Sequence, residues 1–325
     1  MRCFLGIDTS CYTCSAAIVD ENEQLVAETR NMLDVPPGKR GLSQAEGVYQ
    51  HIRKIPALVE RLCTSLKPAG LLAAVAVSTA PRDREDSYMP VFKVGEAVAR
   101  SIAAASALPL FFVSHQVNHI LAGRWSAAGP AGPRFLAVHL SGGTTELHEV
   151  DCAQGLKLRN LGGTMDLHAG QFVDRVGVAL GLPFPAGSPL EKLALQCAGT
   201  SLSIPSRLQD NRVSFSGPET QAQRLIQAGN PQEEIALAVF LCIANSLEKL
   251  VLPVIKHTGL KDILIVGGVA GNSIIRARLC KRLMHPAVGA RLFFAEPVFS
   301  RDNAVGSALW ACRQFRAAGS SADGN

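Results

Sequence analysis

Extremes of charge are missing from this chain of 325 residues. Charged residues make up 18% of it, hydrophobic residues 47%, and the formal net charge is only +5. A disordered chain would show the opposite balance, with many charges and few apolar side chains. The small positive surplus permits contact with nucleic acid or phosphate without requiring it. Composition therefore predicts a large buried core, and the length predicts two domains.

Segments that direct a chain into a membrane are also absent from the expected places. The first residues, Met1 to Gly6, are typical of a strand and lack the charged and apolar regions of a signal peptide. An apolar stretch at 101–113 is too short to span a bilayer and contains Pro109. We therefore expect a cytoplasmic protein that has no contact with membranes.

Paired cysteines are lacking as well. The nine cysteines are scattered and odd in number, which favours a reducing compartment. Cys11-x-x-Cys14 has the spacing of a zinc ribbon or a redox pair, but no second such motif follows. Two ordinary thiols near a turn are the favoured interpretation.

An internal repeat links the two halves of the sequence. Residues 4–20 and 135–151 align over 17 positions without a gap, and each has an apolar run, a turn of small and hydroxyl residues, and a second strand. Third strands are predicted at 24–30 and 155–159, and helices at 43–66 and 166–180. Two unrelated hairpins in one α/β protein are the alternative explanation.

Strands and helices alternate after each copy of the repeat, which predicts an α/β fold with parallel strands. The duplicated meander resembles the ribonuclease-H-like, two-lobed fold of actin, heat-shock chaperones and sugar kinases, the ASKHA fold. That resemblance implies a central cleft in which two facing turns hold the phosphates of a nucleotide through backbone N–H groups. The expected lobes are residues 1–112 with about 303–318, and residues 113–302, followed by a disordered tail at 319–325.

His115-Gln-Val-Asn-His119 places two imidazoles on one helical face, a spacing suited to a single metal ion. The motif is not HExxH, since Gln116 and Val117 supply no general base, and a metalloprotease is therefore disfavoured. Asp302, at the start of the last predicted helix, could complete a site of two histidines and one carboxylate. Helix capping by Asp302 and a structural pair of histidines remain alternatives.

A buried strand at 264–266 runs into a glycine turn that ends at Asn272. N–H groups at the start of the following helix would be available to a ligand there. Close packing between a helix and a strand would select the same glycines. A Rossmann fold is disfavoured because the turn comes late in the chain and lacks GxGxxG.

Taken together, these segments resemble the TsaD family of tRNA adenosine threonylcarbamoyltransferases, formerly called glycoproteases. The resemblance covers residues 2–316. Its motifs include His115-x-x-x-His119, Ser141-Gly-Gly143, Phe172-Val-Asp174, Gly181 to Gly187, Ser214-Phe-Ser-Gly217, Gly267 to Asn272 and Asp302-Asn303.

The resemblance implies roles for these residues. His115, His119 and Asp302 would hold one divalent metal ion, iron or zinc. An ATP- or AMP-type nucleotide would be bound by His139, Leu140, Ser141, Gly142, Gly143, Asp174, Gly187 and Asn272. The reaction is expected to be assisted by the metal, and no side chain is assigned a catalytic role beside it. Asp8 is the only candidate.

The implied reaction transfers a threonylcarbamoyl group from threonylcarbamoyl-AMP to an adenosine beside the tRNA anticodon. Carbamoyl transfer to another acceptor and a non-catalytic nucleotide-binding role in a tRNA-modification complex are the alternatives. Expected partners are tRNA, a TsaB-like paralogue and a TsaE-like ATPase. Basic residues that could contact tRNA are Arg53, Lys54, Arg82, Arg84, Lys93 and Arg100, although ordinary solvated charge explains them as well.

Three loops depart from the family pattern, which indicates a divergent paralogue. Tyr12 and Thr13 stand where the family has an acidic pair, and neither is a good base at neutral pH. Thr144 replaces a histidine beside the phosphate turn. A charged segment at 79–86 replaces a glycine-rich one that could approach a ligand more closely.

Overall fold

The computed structural model describes residues 1–10, 12–36, 41–153 and 155–322. The chain forms two compact units, Met1–Trp125 with Arg301–Asn325, and Ser126–Ser300. The sequence-based boundaries lay at 112/113 and 302/303. Residues 113–125 and 301–302 thus fall in the first unit, where they bring both histidines and Asp302 of the expected metal site.

The first unit opens with a meander and continues with alternating helices and strands. Its elements are β1 (Arg2–Asp8), β2 (Thr13–Asp20), β3 (Leu25–Met32), α1 (Gln44–Ala69), β4 (Leu71–Ala80), α2 (Phe92–Ala105), β5 (Leu110–Ser114) and α3 (His115–Ser126). The sheet order is β3-β2-β1-β4-β5. β1 pairs antiparallel with β2 and parallel with β4, and β5 adds a further parallel strand.

The second unit repeats this plan and extends it. Its elements are β6 (Arg134–Leu140), β7 (Thr145–Asp151), β8 (Lys157–Thr164), α4 (Ala169–Ala179), α5 (Gly187–Ala194), β9 (Arg207–Gln209), β10 (Arg212–Ser214), α6 (Ser216–Gln227), α7 (Gln232–Thr258), β11 (Asp262–Val266), α8 (Ser273–Leu283), β12 (Arg291–Phe294) and α9 (Pro297–Ser300). The sheet order is β12-β11-β6-β7-β8-β10-β9. A 3₁₀ turn, Gly268–Gly271, joins β11 to α8.

Register confirms the internal repeat position by position. Phe4 pairs with Val19 across β1 and β2, and the corresponding Phe135 pairs with Val150 across β6 and β7. The first strand of each meander also pairs in parallel with a later strand, β4 in one unit and β11 in the other. Two unrelated hairpins would not share both features.

The last helix, α10 (Val305–Ala322), returns to the first unit. Alternate residues of β1 point to opposite faces of the sheet, so that Leu5 and Ile7 join the core with α1 and α2 while Gly6 faces α10. A Cβ atom at Gly6 would lie 2.3 Å from Ala308 N, and only glycine lets α10 lie so close to the sheet.

The end of α10 and the interior of α7 differ from expectation. α10 continues to Ala322, whereas disorder was expected from residue 319, and residues 323–325 lie outside the described residues. α7 is long and apolar enough to cross a membrane by length and composition, a feature that the search for apolar stretches overlooked. Because 72% of its apolar window is buried inside the protein, α7 has the burial of a core helix.

Candidate functional site

A cluster of two histidines and one carboxylate forms in the first unit, where α3 begins and the segment before α10 returns. Nε2 of His119 lies 3.0 Å from Nε2 of His115 and 3.2 Å from Oδ1 of Asp302. Nε2 of His115 lies 3.5 Å from the same carboxylate oxygen. The structure thus brings together the three residues that the sequence predicted as metal ligands.

These spacings fit one metal ion. Metal–nitrogen and metal–oxygen bonds of about 2.0–2.2 Å put neighbouring ligands about 2.9–3.5 Å apart in octahedral or tetrahedral geometry. The three distances span that range. Two imidazoles and one carboxylate suit iron or zinc and leave coordination positions open for a substrate.

Asp8, at the end of β1, orients the first histidine. Its carboxylate is completely buried and lies 3.3 Å from Nδ1 of His115, the nitrogen that faces away from the other two ligands. Ser10 Oγ donates a hydrogen bond to the second carboxylate oxygen of Asp8 at 2.5 Å. A carboxylate in this position fixes the tautomer and ring orientation of a metal-binding histidine. The structure therefore places Asp8 in contact with His115.

The cluster has strongly perturbed acid–base properties. Burial alone would lower the pKa of His115, but the charge of Asp8 and hydrogen bonds with Asp302 and Asp8 raise it to about 10. For His119, burial and the positive charge of His115 lower the pKa. Burial opposes ionisation of Asp302, but hydrogen bonds from both imidazoles hold its pKa far below the usual range. The negative charge that attracts a proton here would equally attract a metal cation.

Asn118, a residue that sequence reasoning missed, fixes Asp302 relative to the histidines. Its Nδ2 donates to the carbonyl of Asn303 at 2.6 Å, and its Oδ1 accepts from Ser307 N at 2.7 Å. A Cβ atom at Gly306 would lie 1.9 Å from the Asn118 carbonyl oxygen, so α10 starts in direct contact with α3. The position of Asn118 inside the His115–His119 motif was the only signal available from the sequence.

In the second unit, the turn after β6 has the form expected of a phosphate-binding loop. Ser141 N donates to the carbonyl of Thr144 at 2.8 Å and closes the turn. Ser141 Oγ accepts from Gly143 N at 3.3 Å. Apart from chain neighbours, no described residue has an atom within 4 Å of a Cβ placed at Gly142 or Gly143, so the outer side of both glycines is open to a ligand. His139 and Leu140 are buried in β6 just before the turn.

Helix α4 begins directly against this turn. Gly170 N donates to the carbonyl of Ser141 at 3.2 Å, and Ala169 N donates to the hydroxyl of Thr145 at 2.9 Å. A Cβ at Gly170 would lie 2.6 Å from the Cα of Gly142. Both N–H groups thus hold the helix against the turn, and the start of the helix contributes a favourable dipole there.

The other predicted nucleotide contacts lie on helices of the same unit. Asp174, on α4, accepts a hydrogen bond from Ala186 N at 2.8 Å, next to Gly187 at the start of α5. Burial raises the pKa of Asp174. Gly187 has an open outer side, like the glycines of the turn.

Asn272 caps α8 by accepting a hydrogen bond from Ile275 N at 2.9 Å. Its side chain is buried, and its Nδ2 finds no hydrogen-bond partner within the described part of the chain. Gly267, just before the 3₁₀ turn, has a φ of +100° and would place a Cβ 2.4 Å from the Leu140 carbonyl oxygen. The glycine turn before Asn272 thus packs against the end of β6.

Asp166 is a second residue that the sequence did not identify. Its carboxylate accepts hydrogen bonds from Leu167 N at 2.7 Å, from Phe215 N at 2.8 Å and from the hydroxyls of Ser214 and Ser216. Although partial burial opposes ionisation, these donors lower the pKa of Asp166 to about 2. Asp166 therefore anchors the segment that leads into α4.

The three loops that were expected to depart from the family pattern have regular backbone hydrogen bonds. Ser141 N bonds the main chain of Thr144, so closure of the phosphate turn does not depend on the side chain at that position. Thr13 N donates to the carbonyl of Ser10 at 3.0 Å. In the charged loop, Arg84 pairs with Asp86 in solvent, and the Pro81 carbonyl accepts from Gln116 N in α3.

Cys14 is buried, which raises the pKa of its thiol to about 12. Its predicted neighbour Cys11 lies outside the described residues. The buried thiol of Cys14 therefore stays protonated and is chemically inert.

Most of the expected basic surface is neutralised by acidic neighbours. Lys54 pairs with Asp34 at 2.8 Å, and Lys93 and Arg100 both pair with Glu96 at 2.8 Å. The guanidinium of Arg53 lies over the ring of Tyr49. Two acids, Asp34 and Glu96, thus offset part of the positive charge that this surface could present to a nucleic acid.

Comparison with known sequences identifies one family. The family model described as TsaD: tRNA N6-adenosine threonylcarbamoyltransferase matches residues 41–309. A relative from Thermus thermophilus with the same enzyme name is 32% identical in an alignment 321 residues long, which covers 96% of this chain and 93% of that protein. The protein from a second strain of this species is also 32% identical, with 92% of its length covered.

Comparison with solved structures confirms the predicted ASKHA fold. HypF from T. kodakarensis aligns with a TM-score of 0.62 at 13% identity, covering 98% of this chain and 48% of HypF. Component A of the Acidaminococcus fermentans (R)-2-hydroxyglutaryl-CoA dehydratase aligns with a TM-score of 0.60 at 14% identity, covering 97% and 100%. A glucokinase from Streptomyces griseus gives 0.55 at 14% identity, covering 96% and 99%.

Proposed function

Because this chain belongs to the tRNA N6-adenosine threonylcarbamoyltransferase family, we propose that it modifies tRNA by transferring a threonylcarbamoyl group from threonylcarbamoyl-AMP. The acceptor would be the exocyclic amine of an adenosine beside the anticodon. The observation that carries the proposal is the cluster of His115, His119 and Asp302. A protein that served only as a scaffold would have no need of three buried or half-buried ligands arranged at metal-binding distances.

His115, His119 and Asp302 would hold one divalent ion, iron or zinc. When bound, that ion supplies a Lewis acid that polarises the carbamoyl carbonyl and neutralises charge on the phosphate. Asp8 accepts a hydrogen bond from Nδ1–H of His115. The proton therefore stays on Nδ1, and Nε2 remains available as the ligand atom. In this proposal Asp8 is a positioning residue and not the proton acceptor for the attacking amine.

The turn at Ser141–Gly143 would bind the phosphate of the adenylate. Its open glycines leave room for the phosphate, and the dipole of α4, which begins beside the turn, can stabilise charge as AMP leaves. Asp174, Gly187 and Asn272 would contact the sugar and base region, and the unpaired Nδ2 of Asn272 is a suitable donor.

Two related functions make different predictions. Carbamoyl transfer to another acceptor would use the same metal and phosphate groups but would not require tRNA. A non-catalytic partner would bind nucleotide without turnover and would tolerate loss of the metal ligands. The replacement of the family's acidic pair by Tyr12 and Thr13 makes this comparison worth testing directly. A TsaB-like paralogue and a TsaE-like ATPase are proposed partners, and the cytoplasm is the proposed location.

A transfer assay tests the proposal. Unmodified tRNA, radiolabelled threonylcarbamoyl-AMP and the metal-loaded protein are incubated, and label in the tRNA is counted with and without the two proposed partners. We expect incorporation by the wild type and loss of at least a hundredfold in His119→Ala. Label transferred only to small acceptors would replace the tRNA function with the carbamoyltransferase alternative. Tight binding of AMP without any transfer would leave the non-catalytic role.

A further inference from the structure

Positive charge without matching acidic side chains gathers in the second unit, on α8 and the adjoining face of α7. The sequence of α8 contains four cations and no acid among its 11 residues: Arg276, Arg278, Lys281 and Arg282. Lys249 lies on the neighbouring face of α7. None of these residues was among the basic positions singled out from the sequence.

The contacts of these side chains leave most of their charge uncompensated. Arg282 pairs with Glu248 at 2.7 Å, and this is the one ion pair of the five cations within the described residues. Arg278 Nε donates to Asn245 Oδ1 at 3.2 Å, and Lys249 Nζ donates to the carbonyl of Ser206 at 2.7 Å. Neutral acceptors hold these two side chains in place without cancelling their charge.

The remaining two cations of α8 also keep their charge. The guanidinium of Arg276 lies 4.5 Å from the centre of the Phe294 ring, a cation–π contact that orients it. Lys281 is exposed on the same helix. Glu191, which contacts the start of α8, accepts hydrogen bonds from the backbone and hydroxyl of Ser273, and no described cation pairs with it.

A cavity of about 250 Å³ lies between the two helices. Its lining is formed by Ser206, Asn245, Glu248, Lys249, Arg278 and Arg282. All six side chains carry polar or charged groups, which can bind a polar or charged ligand. The centres of protein–protein interfaces are depleted of charge and rich in aromatic groups, which this lining does not resemble.

We propose that this basic face, defined as Lys249, Arg278, Lys281 and Arg282, binds the sugar–phosphate backbone of the tRNA substrate. The inference rests on the proposed function for the identity of the RNA. The geometry favours a polyanion over a single phosphate, because the cations of this face follow α8 over about 6 Å from Arg278 to Arg282, at 1.5 Å per residue. Preoriented guanidinium groups suit phosphate oxygens, and such contacts give affinity without base specificity.

Binding of tRNA as a function of salt tests the assignment. Fluorescently labelled unmodified tRNA is titrated with the wild type and with Arg278→Gln/Lys281→Gln at several salt concentrations. Each lost phosphate contact lowers the slope of log affinity against log salt by about 0.7–0.9, so the double variant should lose about 1.5. Its affinity at 0.1 M salt should fall at least tenfold.

The matched control is Lys93→Gln/Arg100→Gln, which removes the same charge from the first unit, where both cations pair with Glu96. We expect this variant to bind tRNA like the wild type. Equal loss in both double variants, or no loss in either, would overturn the assignment of α8. The side chain of Lys281 makes no hydrogen bond within the described residues, so the single variant Lys281→Gln should fold like the wild type. It should reproduce about half the change in slope.

Two further measurements separate this inference from the proposed function. If polyglutamate competed with tRNA as effectively as polyuridylate does, the face would be assigned to an acidic protein. That result would overturn the proposal. Affinity for AMP, measured in the same variants, should not change, since the phosphate turn lies elsewhere in the second unit. A wild type that binds AMP and metal but no tRNA would overturn both the RNA face and the tRNA acceptor. A wild type that binds tRNA through another surface would overturn this inference alone.

Discussion

Nδ1 of His115 and the carboxylate of Asp8 lie 3.3 Å apart, although 107 positions separate them in the chain. β1 delivers Asp8 to the end of the sheet, and β5 leads directly into α3 at His115. The contact means that the expected metal site has an outer layer, a buried acid that controls one ligand. Several consequences of this arrangement can be measured.

Asp8→Asn should weaken metal binding about 10- to 100-fold, the usual cost of losing an outer partner of a metal-binding histidine. An amide cannot accept the Nδ1 proton of His115 as strongly as a carboxylate does. Competition between the metal-free protein and a chromophoric zinc chelator measures the change. Ser15→Ala is the matched control, because Ser15 Oγ bonds only the main-chain carbonyl of Asp8. Equal zinc affinity in wild type and Asp8→Asn would contradict the positioning role.

The stability of the metal-free protein should fall as the pH rises from about 6.5 to about 10. The pKa of His115 is raised to about 10 in the folded state, above the ordinary value near 6.5 of an unfolded histidine. The protonated form of His115 therefore stabilises the folded protein. This contribution is fully present at a pH below the unfolded pKa and is lost as the pH rises through the folded pKa. Thermal unfolding of the chelator-treated wild type and of His115→Gln checks this. The difference in Tm between the two proteins should narrow as the pH rises.

A difference in Tm that stays constant across this pH range would show that His115 is neutral in the folded protein.

Metal binding provides an independent measurement of the same proton. Because an imidazole must be unprotonated to bind a metal, zinc binding at pH 8 should release about one proton from His115. Calorimetry in buffers of different ionisation enthalpy counts that proton.

Local pattern was sufficient to predict the duplicated meanders, since the alternation of apolar residues and the turn chemistry of both copies are encoded in contiguous segments. The spacing of His115 and His119 likewise follows from the helical period. The TsaD resemblance supplied Asp302 as their partner, because nothing local indicates that a segment almost two hundred residues later meets α3. Family motifs therefore carried the long-range part of the site.

Other features depend on contacts that no single segment records. The boundary between the units follows the return of α10, which draws 113–125 into the first unit. The role of Asn118 requires that the start of α10 cross α3, and the role of Asp166 requires that the loop before α6 lie beside it. The distribution of uncompensated charge also depends on ion pairing, and the pairing of Lys93 and Arg100 with Glu96 could not be predicted as a three-dimensional contact from composition alone.

Asn118→Ala should destabilise the first unit by about 2–4 kcal/mol, because it leaves the buried Asn303 carbonyl and Ser307 N–H without this partner. Release of the start of α10 should also weaken metal binding through displacement of Asp302. Chemical unfolding and zinc competition measure the two effects. Asn230→Ala, which loses one half-buried bond to the Leu225 carbonyl, should cost only about 1 kcal/mol and leave zinc affinity unchanged. Wild-type zinc affinity in Asn118→Ala would refute the link between α3 and Asp302.

Gly170→Ala should impair nucleotide binding without touching any group that contacts the metal. The added Cβ would lie 2.6 Å from Gly142 Cα and 2.7 Å from Gly142 N, both main-chain atoms that cannot rotate away. Either the turn or the start of α4 must shift, at a cost of about 1–3 kcal/mol in stability. We expect affinity for AMP, measured by calorimetry, to fall at least tenfold because the turn no longer keeps its position against the start of α4 and its dipole.

Gly217→Ala is the matched control for Gly170→Ala. Gly217 is also the second residue of its helix, but among the described residues only its chain neighbours and its own helix backbone can lie within 4 Å of the position of its Cβ. Replacement there should stabilise the protein by up to about 1 kcal/mol through helix propensity and leave AMP binding as in the wild type. If Gly170→Ala bound AMP as tightly as Gly217→Ala, the contact between α4 and the Ser141–Gly143 turn would have no part in holding the phosphate. Loss confined to Gly170→Ala would tie nucleotide affinity to that contact.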